Sequence, residues 1–118
     1  MRKFKFRAWS KEDNKMYYNA ERTYDFGLND SDIMEENFGG VLNNDNFIVM
    51  QYTGVKDKSG KEIYEGDIVE CFKNELAIVK FISGCFVLDS TSYTETLYDV
   101  CGKIKVIGNI YETPDLLK

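Results

Sequence analysis

From Lys3 to Trp9 polar and apolar residues alternate, with Phe4, Phe6 and Ala8 on one side and Lys3, Lys5 and Arg7 on the other. Successive side chains of an extended backbone point to opposite faces, so this period of two predicts a strand with one buried face. The polar run Ser10–Lys15 reads as a turn, and Met16, Tyr17 and Tyr18 begin a returning strand, so the chain is expected to open on a hairpin. The pattern returns at Phe47. FIVMQY (47–52) is a short apolar strand, 56–61 a polar turn with Gly60 free to take positive φ, and IYEGDIVECF (63–72) a strand entered through Glu65-Gly66-Asp67. LAIVKFI (76–82) puts Ala77, Val79 and Phe81 on one face and Leu76, Ile78 and Ile82 on the other, so both faces require cover apart from Lys80. Ser83-Gly84 suits a two-residue hairpin turn into CFVL (85–88). LYDVC (97–101) and IKVIGNIY (104–111) complete the strands, the last with Ile104, Val106 and Ile110 inward and Lys105 and Asn109 outward. Pro114 fits the first position of a short terminal helix.

Residues 20–46 differ in kind: they are rich in Asn and Asp and have no period-two order. Within them, Asn29 to Asp32 precede Ile33, Met34 and Phe38, with Gly39 and Gly40 following, which are start, apolar edge and stop signals for a helix of two turns. Short strands joined by Gly-containing turns predict a mainly β protein whose sheet is a small antiparallel barrel or is strongly bent, with Gly66 and Gly108 marking bends or bulges. An amino-terminal portion (1–46), holding the hairpin and short helix, is expected to precede the barrel (47–118) in one compact unit.

Composition narrows the chemistry. The 118 residues contain no histidine, which removes the usual general base near neutral pH, the Ser-His and Cys-His couples and the commonest zinc ligand. No SxxK, GxSxG, GxGxxG or GxxxxGK[ST] pattern occurs, so no enzymatic activity and no cofactor are expected. Cys71, Cys85 and Cys101 are an odd count without a CxxC pair, pointing to reduced, half-buried thiols. Neither a secretory leader nor a membrane-length apolar run is read in the sequence, so a cytoplasmic location is expected. The net charge of −5 is uneven: residues 1–15 carry +4, residues 19–46 carry −6, and the remainder −3.

Three blocks carry a family likeness: FRAW (6–9) with Met16, MQYTGVKDKSGKEIYEGDIV (50–69), and VIGNIYETPDLL (106–117). With these blocks the chain resembles the YopX family of bacteriophages and prophages, although residues 19–46 and 89–101 match nothing in that pattern. The resemblance implies a phage or prophage origin, an SH3-like β-barrel for the carboxy-terminal portion, and self-association in the cytoplasm of a bacterial host. It implies no activity, so Gln51, Tyr52, Thr53, Gly54, Gly60, Tyr64, Gly66 and Asp67 are motif positions without a catalytic role.

Several readings of particular residues follow. The motif itself reads as structural, with Gly54, Gly60, Gly66, Asp67 and Gly108 shaping the backbone. The competing reading gathers Asp57, Glu62, Glu65 and Asp67 around a cation. Asp30-Ser31-Asp32 suits helix capping better than a metal site, because the other positions of an EF-hand loop are missing. Arg7, Trp9, Tyr17, Gln51, Tyr52 and Tyr64 are the expected interaction surface, serving a homo-oligomer or an unidentified protein partner. The second functional reading is nucleic-acid binding, in which Arg2, Lys3, Lys5, Arg7 and Lys11 interleave with Phe4, Phe6 and Trp9 to make a basic surface for stacked bases.

Overall fold

Strand β1 (Phe6–Ser10) hydrogen-bonds antiparallel partners on both sides, β2 (Lys15–Tyr18) and β3 (Phe47–Lys56). The computed structural model describes residues 4–22, 38–91 and 93–117. Asn14 closes the β1–β2 hairpin at φ 56°, a left-handed conformation that Asn tolerates better than most residues. Ser10, fully buried, fixes the end of that hairpin: its hydroxyl donates to Asp13 Oδ2 (3.2 Å) and accepts from Asn46 Nδ2 (3.0 Å).

The chain forms two compact units, Lys3–Gln51 and Tyr52–Lys118. The division falls inside β3 rather than before it, because Phe47–Gln51 pair with β1 while Tyr52–Lys56 pair with β4 (Glu62–Tyr64). The first unit packs Ala8, Tyr17, Ala20 and Val41 together, with Phe6, Phe38, Phe47 and Val49 against them. Val41 lies on α1 (Phe38–Leu42), and the Phe38 ring stands 4.9 Å from that of Phe6. The helix therefore runs through Gly39 and Gly40 instead of stopping at them. Burial of Val41 and Phe38 outweighs a glycine penalty of about 1 kcal/mol each. The expected capping at Asn29–Asp32 lies outside the described residues.

β1 is buried on both faces rather than one: Arg7, Ala8, Trp9 and Ser10 are all at most 8% exposed. A strand between two others inherits its burial from the sheet, so the alternation of Phe6 and Ala8 with Arg7 does not mark a wet face. The Arg7 guanidinium lies 5.9 Å from the centroid of the Tyr18 ring, its neighbour in register.

The second unit carries a five-stranded antiparallel sheet in the order β8-β7-β6-β5-β9, formed by β5 (Asp67–Glu70), β6 (Leu76–Ile82), β7 (Cys85–Asp89), β8 (Thr94–Thr96) and β9 (Lys105–Asn109). The protein is thus mainly β, with two antiparallel sheets, one of them curled into a half-barrel. Ile63, Val69, Ala77, Val79, Phe86, Leu88, Leu97, Ile104 and Val106 form the core of this unit. Ser83 and Gly84 have φ of 53° and 79°, the two positive values that a tight type I′ hairpin turn requires.

Three segments depart from the strand pattern. Leu97–Val100 is a helix, α2, continued by a 3-10 turn at Cys101–Lys103, not a strand. Leu97, Val100 and Cys101, at helical spacing, all reach the core, and five residues are too few for periodicity to separate this from an extended run. Cys71 and Phe72 leave β5 for a 3-10 turn at Phe72–Asn74. Asn109 is buried at 5% exposure, not outward, because the register with β5 shifts between Ile68 and Val69: Val106 faces Val69 while Gly108 faces Ile68. The chain ends in a 3-10 turn, Pro114–Leu117. Among the described residues no helix is long and apolar enough to cross a membrane.

Leu97 tests the helical reading of 97–100. Leu97→Ala is expected to cost about 2–5 kcal/mol, the range for emptying a fully buried leucine site. Thr96→Ala, at a helix start with no side-chain capping bond, is expected to cost under about 0.5 kcal/mol. Urea midpoints of the two variants check the contrast.

Candidate functional site

The central motif folds into the start of the second unit. Tyr52 and Tyr64 are register partners on β3 and β4 with ring centroids 5.6 Å apart, and both are at most 6% exposed. Thr53, also buried, donates its hydroxyl to the Ile63 carbonyl at 2.8 Å, while the Thr53 carbonyl accepts the Tyr98 hydroxyl at 2.9 Å. That second bond ties α2 to β3. Gly54 at φ 92° sits in the irregular stretch between Tyr52 and Lys56, and Gly60 at φ 89° lies in the turn that follows.

Asp57 holds that turn. Its Oδ1 accepts from the Ser59 amide (2.9 Å), the Ser59 hydroxyl (2.8 Å) and the Lys61 amide (2.9 Å), and its Oδ2 accepts from the Val106 amide (2.8 Å). The backbone agrees: Lys58 N–H donates to the Ile104 carbonyl at 3.0 Å. One carboxylate therefore shapes a turn and fastens it to β9, 49 residues further on. Burial pushes the Asp57 carboxyl upward, but hydrogen bonds from Val106, Lys61 and Ser59 outweigh it and hold the group below its ordinary 3.8.

Asp67 works in the same way at the next turn. Only 2% exposed, it accepts the Tyr64 amide on Oδ2 at 2.8 Å. Between them Gly66 takes φ 90°, a conformation that costs a side chain strain, and its amide and carbonyl bond Val79 and Ile110 at 2.8 and 3.0 Å. Gly108 is required for space: a methyl there would collide with the Thr113 hydroxyl and stand 2.8 Å from Leu116 Cδ1. Asn109 completes this end. Its Oδ1 accepts the Tyr111 and Glu112 amides at 3.0 and 2.8 Å, and its Nδ2 donates to Glu112 Oε1 at 2.7 Å.

The competing cation reading finds no support in the geometry, since both buried carboxylates, Asp57 and Asp67, accept backbone amides. Among the described residues no group of three or more Cys, Asp or Glu is placed to hold a metal. The expected interaction surface is mostly interior as well. Arg7, Trp9, Tyr17, Tyr52 and Tyr64 are all under 9% exposed, and only Gln51 is half-exposed. Aromatic residues are equally suited to a core, and five of these six take that place. The three thiols are free and half-buried. Burial raises the Cys71 thiol, Glu75, Glu95 and Glu70 add to that, and only a hydrogen bond from Tyr93 opposes it. Tyr93 is itself pushed up to about 12, by burial and by Cys71. Such a thiol is a poor nucleophile.

A family model described as YopX protein matches residues 5–118, a span that includes these strand-joining residues. The chain belongs to the YopX family. Two solved structures are similar over nearly all of both chains. Protein EF1440 from Enterococcus faecalis aligns over 100% of this chain and 100% of its own at 26% identity, with a TM-score of 0.69. Protein yopX from Bacillus subtilis aligns over 97% of this chain and 98% of its own at 23% identity, with a TM-score of 0.57. No curated protein sequence gives a significant match. In this YopX-family chain the motif thus coincides with turn-forming carboxylates and glycines. Sequence reasoning found Gly66 and Asp67 but missed Asp57 as a structural clamp; the signal was Asp57-x-Ser59-Gly60, in which a short acid precedes a turn.

Asp57→Asn is expected to destabilise the fold by about 1–3 kcal/mol, since an amide cannot accept on both sides. The native carboxyl is depressed, so its contribution is complete above the unfolded value near 3.8 and is lost as pH falls through the lower native one. Chemical denaturation from pH 7 to pH 2 should show a steeper acid loss in wild type than in the variant. Gly108→Ala is expected to lower stability by about 1–3 kcal/mol through overpacking against Thr113 and Leu116, measurable as a fall in Tm.

Proposed function

We propose that this chain is a non-enzymatic accessory protein of a phage or prophage, working in the cytoplasm of its bacterial host as a self-associating protein-interaction module on an SH3-like barrel. The reading rests on where large apolar groups remain in water: Phe72 is 81% exposed, Phe4 62%, Leu42 54% and Phe81 51%. Scattered exposed side chains are ordinary, but several of this size among the described residues supply material for contacts with other molecules. The buried polar groups of the motif, Thr53, Asp57 and Asp67, by contrast, bond within the chain, which supports a role for the surface.

Nucleic-acid binding is the weaker reading. Arg7 and Trp9, central to a basic and aromatic face on β1, are 2% and 8% exposed. Of the other basic and aromatic positions, Phe4 and Lys11 are exposed and Lys5 and Phe6 half-buried, while Arg2 and Lys3 lie outside the described residues.

Light scattering on the purified chain at micromolar concentration is expected to give a multiple of 13.7 kDa. A mass of 13.7 kDa at every concentration overturns self-association. Binding of a fluorescent oligonucleotide that strengthens steeply as salt is lowered would revive the nucleic-acid reading.

A further inference from the structure

The run KDKSGKE (56–62) carries more lysine than its turn requires. Asp57 and Gly60 shape the backbone, whereas Lys56, Lys58 and Lys61 are all exposed. Two bonds bring these lysines to a distant part of the chain: the Lys58 amide donates to the Ile104 carbonyl at 3.0 Å, and Asp57 Oδ2 accepts the Val106 amide at 2.8 Å. Ile104 is flanked by Lys103 and Lys105, both exposed. The Asp57 clamp therefore gathers Lys56, Lys58, Lys61, Lys103 and Lys105, a third of the chain's 15 basic residues, at one corner of the second unit.

The fold makes no use of these charges. Among the described residues none of the five lysines forms an ion pair, whereas Lys80 is held by Asp89 at 2.6 Å. Glu62 stands across from Lys56 and Glu70 across from Lys105, but both are half-buried, and the Asp57 carboxylate is buried with both oxygens occupied by donors. Asp99 is the exposed acid of the neighbouring helix. The corner thus presents mainly ammonium groups to water, on a chain whose net charge is −5. Cations held together repel one another, so an incoming polyanion relieves that repulsion as well as making contacts of its own.

An aromatic ring lies beside them. Tyr98 on α2 is 48% exposed, and its hydroxyl is fixed on the Thr53 carbonyl at 2.9 Å, three residues before Lys56 on β3. The same helix continues into the 3-10 turn that ends at Lys103. A ring anchored through its hydroxyl, with about half its surface in water, can stack on a base at little entropic cost. We propose that this corner binds single-stranded nucleic acid, the lysines contacting phosphates and Tyr98 a base. The ring decides between polyanions: an acidic peptide would engage the lysines but offers no flat π-face to Tyr98, and a duplex keeps its bases stacked on one another. The surface uses none of the β1 residues, of which Arg7 and Trp9 are interior, and it stands whether or not the chain self-associates.

The test is fluorescence anisotropy of a labelled oligothymidylate with the full chain. Binding is expected to weaken as salt rises, with a log–log slope near about −3, the value for roughly four phosphates at about 0.7 each. Lys58→Glu and Lys103→Glu are each expected to weaken binding at least tenfold, with the far-ultraviolet circular dichroism unchanged. Tyr98→Ala is expected to weaken it about tenfold while Tyr98→Phe stays close to wild type. The two lysine variants alter exposed side chains only and keep the test intact if Tyr98→Ala fails to fold. Lys11→Glu, an exposed cation of the first unit, is expected to leave binding unaltered. An absence of binding at about 20 mM salt overturns the proposal, since phosphate contacts are strongest there. Binding that is lost in Lys11→Glu and kept in the Lys58 and Lys103 variants overturns this surface. Polyglutamate that competes as well as the oligonucleotide at equal charge overturns the nucleic-acid assignment and leaves the lysines to an acidic protein.

Discussion

Asp57 is 6% exposed and depressed below the ordinary carboxylate range, so at neutral pH the second unit carries an ionised group in its interior. An unpaired charge there would cost several kcal/mol, and the fold avoids that cost by surrounding both oxygens with donors. Three of those donors belong to the Asp57–Lys61 turn and one, the Val106 amide, to β9. The bond to Val106 spans the sequence from the entry of the unit to its final strand. Ile104 and Val106 enter the core beside it. A single side chain thus makes the turn depend on the sheet and the sheet on the turn.

The same economy recurs in smaller form. Asp67 accepts the amide of Tyr64, Thr53 reaches the carbonyl of Ile63, and Asn109 accepts two amides of the turn that follows it. Each of these polar residues is buried, and each holds the backbone where a strand stops or turns. Short strands supply few ladder bonds, so the curled sheet relies on side chains at its corners to satisfy backbone groups that would otherwise be stranded. Gly66 and Gly108 belong to this system because the backbone passes in a left-handed conformation at one and against Thr113 at the other. The family motif is therefore intelligible as a set of corners.

Local pattern was enough for most of the strands. β6 occupies the span that its alternation predicts, β2 and β7 follow their apolar runs, and Ser83-Gly84 makes the turn its residues favour. Pattern failed where tertiary contacts decide. Gly39 and Gly40 lie inside α1 because Val41 and Phe38 are buried by residues of β1 and β3. Leu97, Val100 and Cys101 satisfy a helix and a short strand equally until the core they face is known. The candidate surface was least legible, since the tyrosines and Trp9 that suit an interface suit a core equally, and their burial depends on partners far away in sequence.

The sequence by itself determined the absence of histidine, the mainly β class and the residues of its turns, because these follow from side-chain identity and nearest neighbours. Only the tertiary structure decided that β1 is interior on both faces, that a bulge against β5 turns Asn109 inward, and that β6 outlasts β5. Strand order and register set those three facts, and both arise from pairings between distant segments that no local window of residues contains.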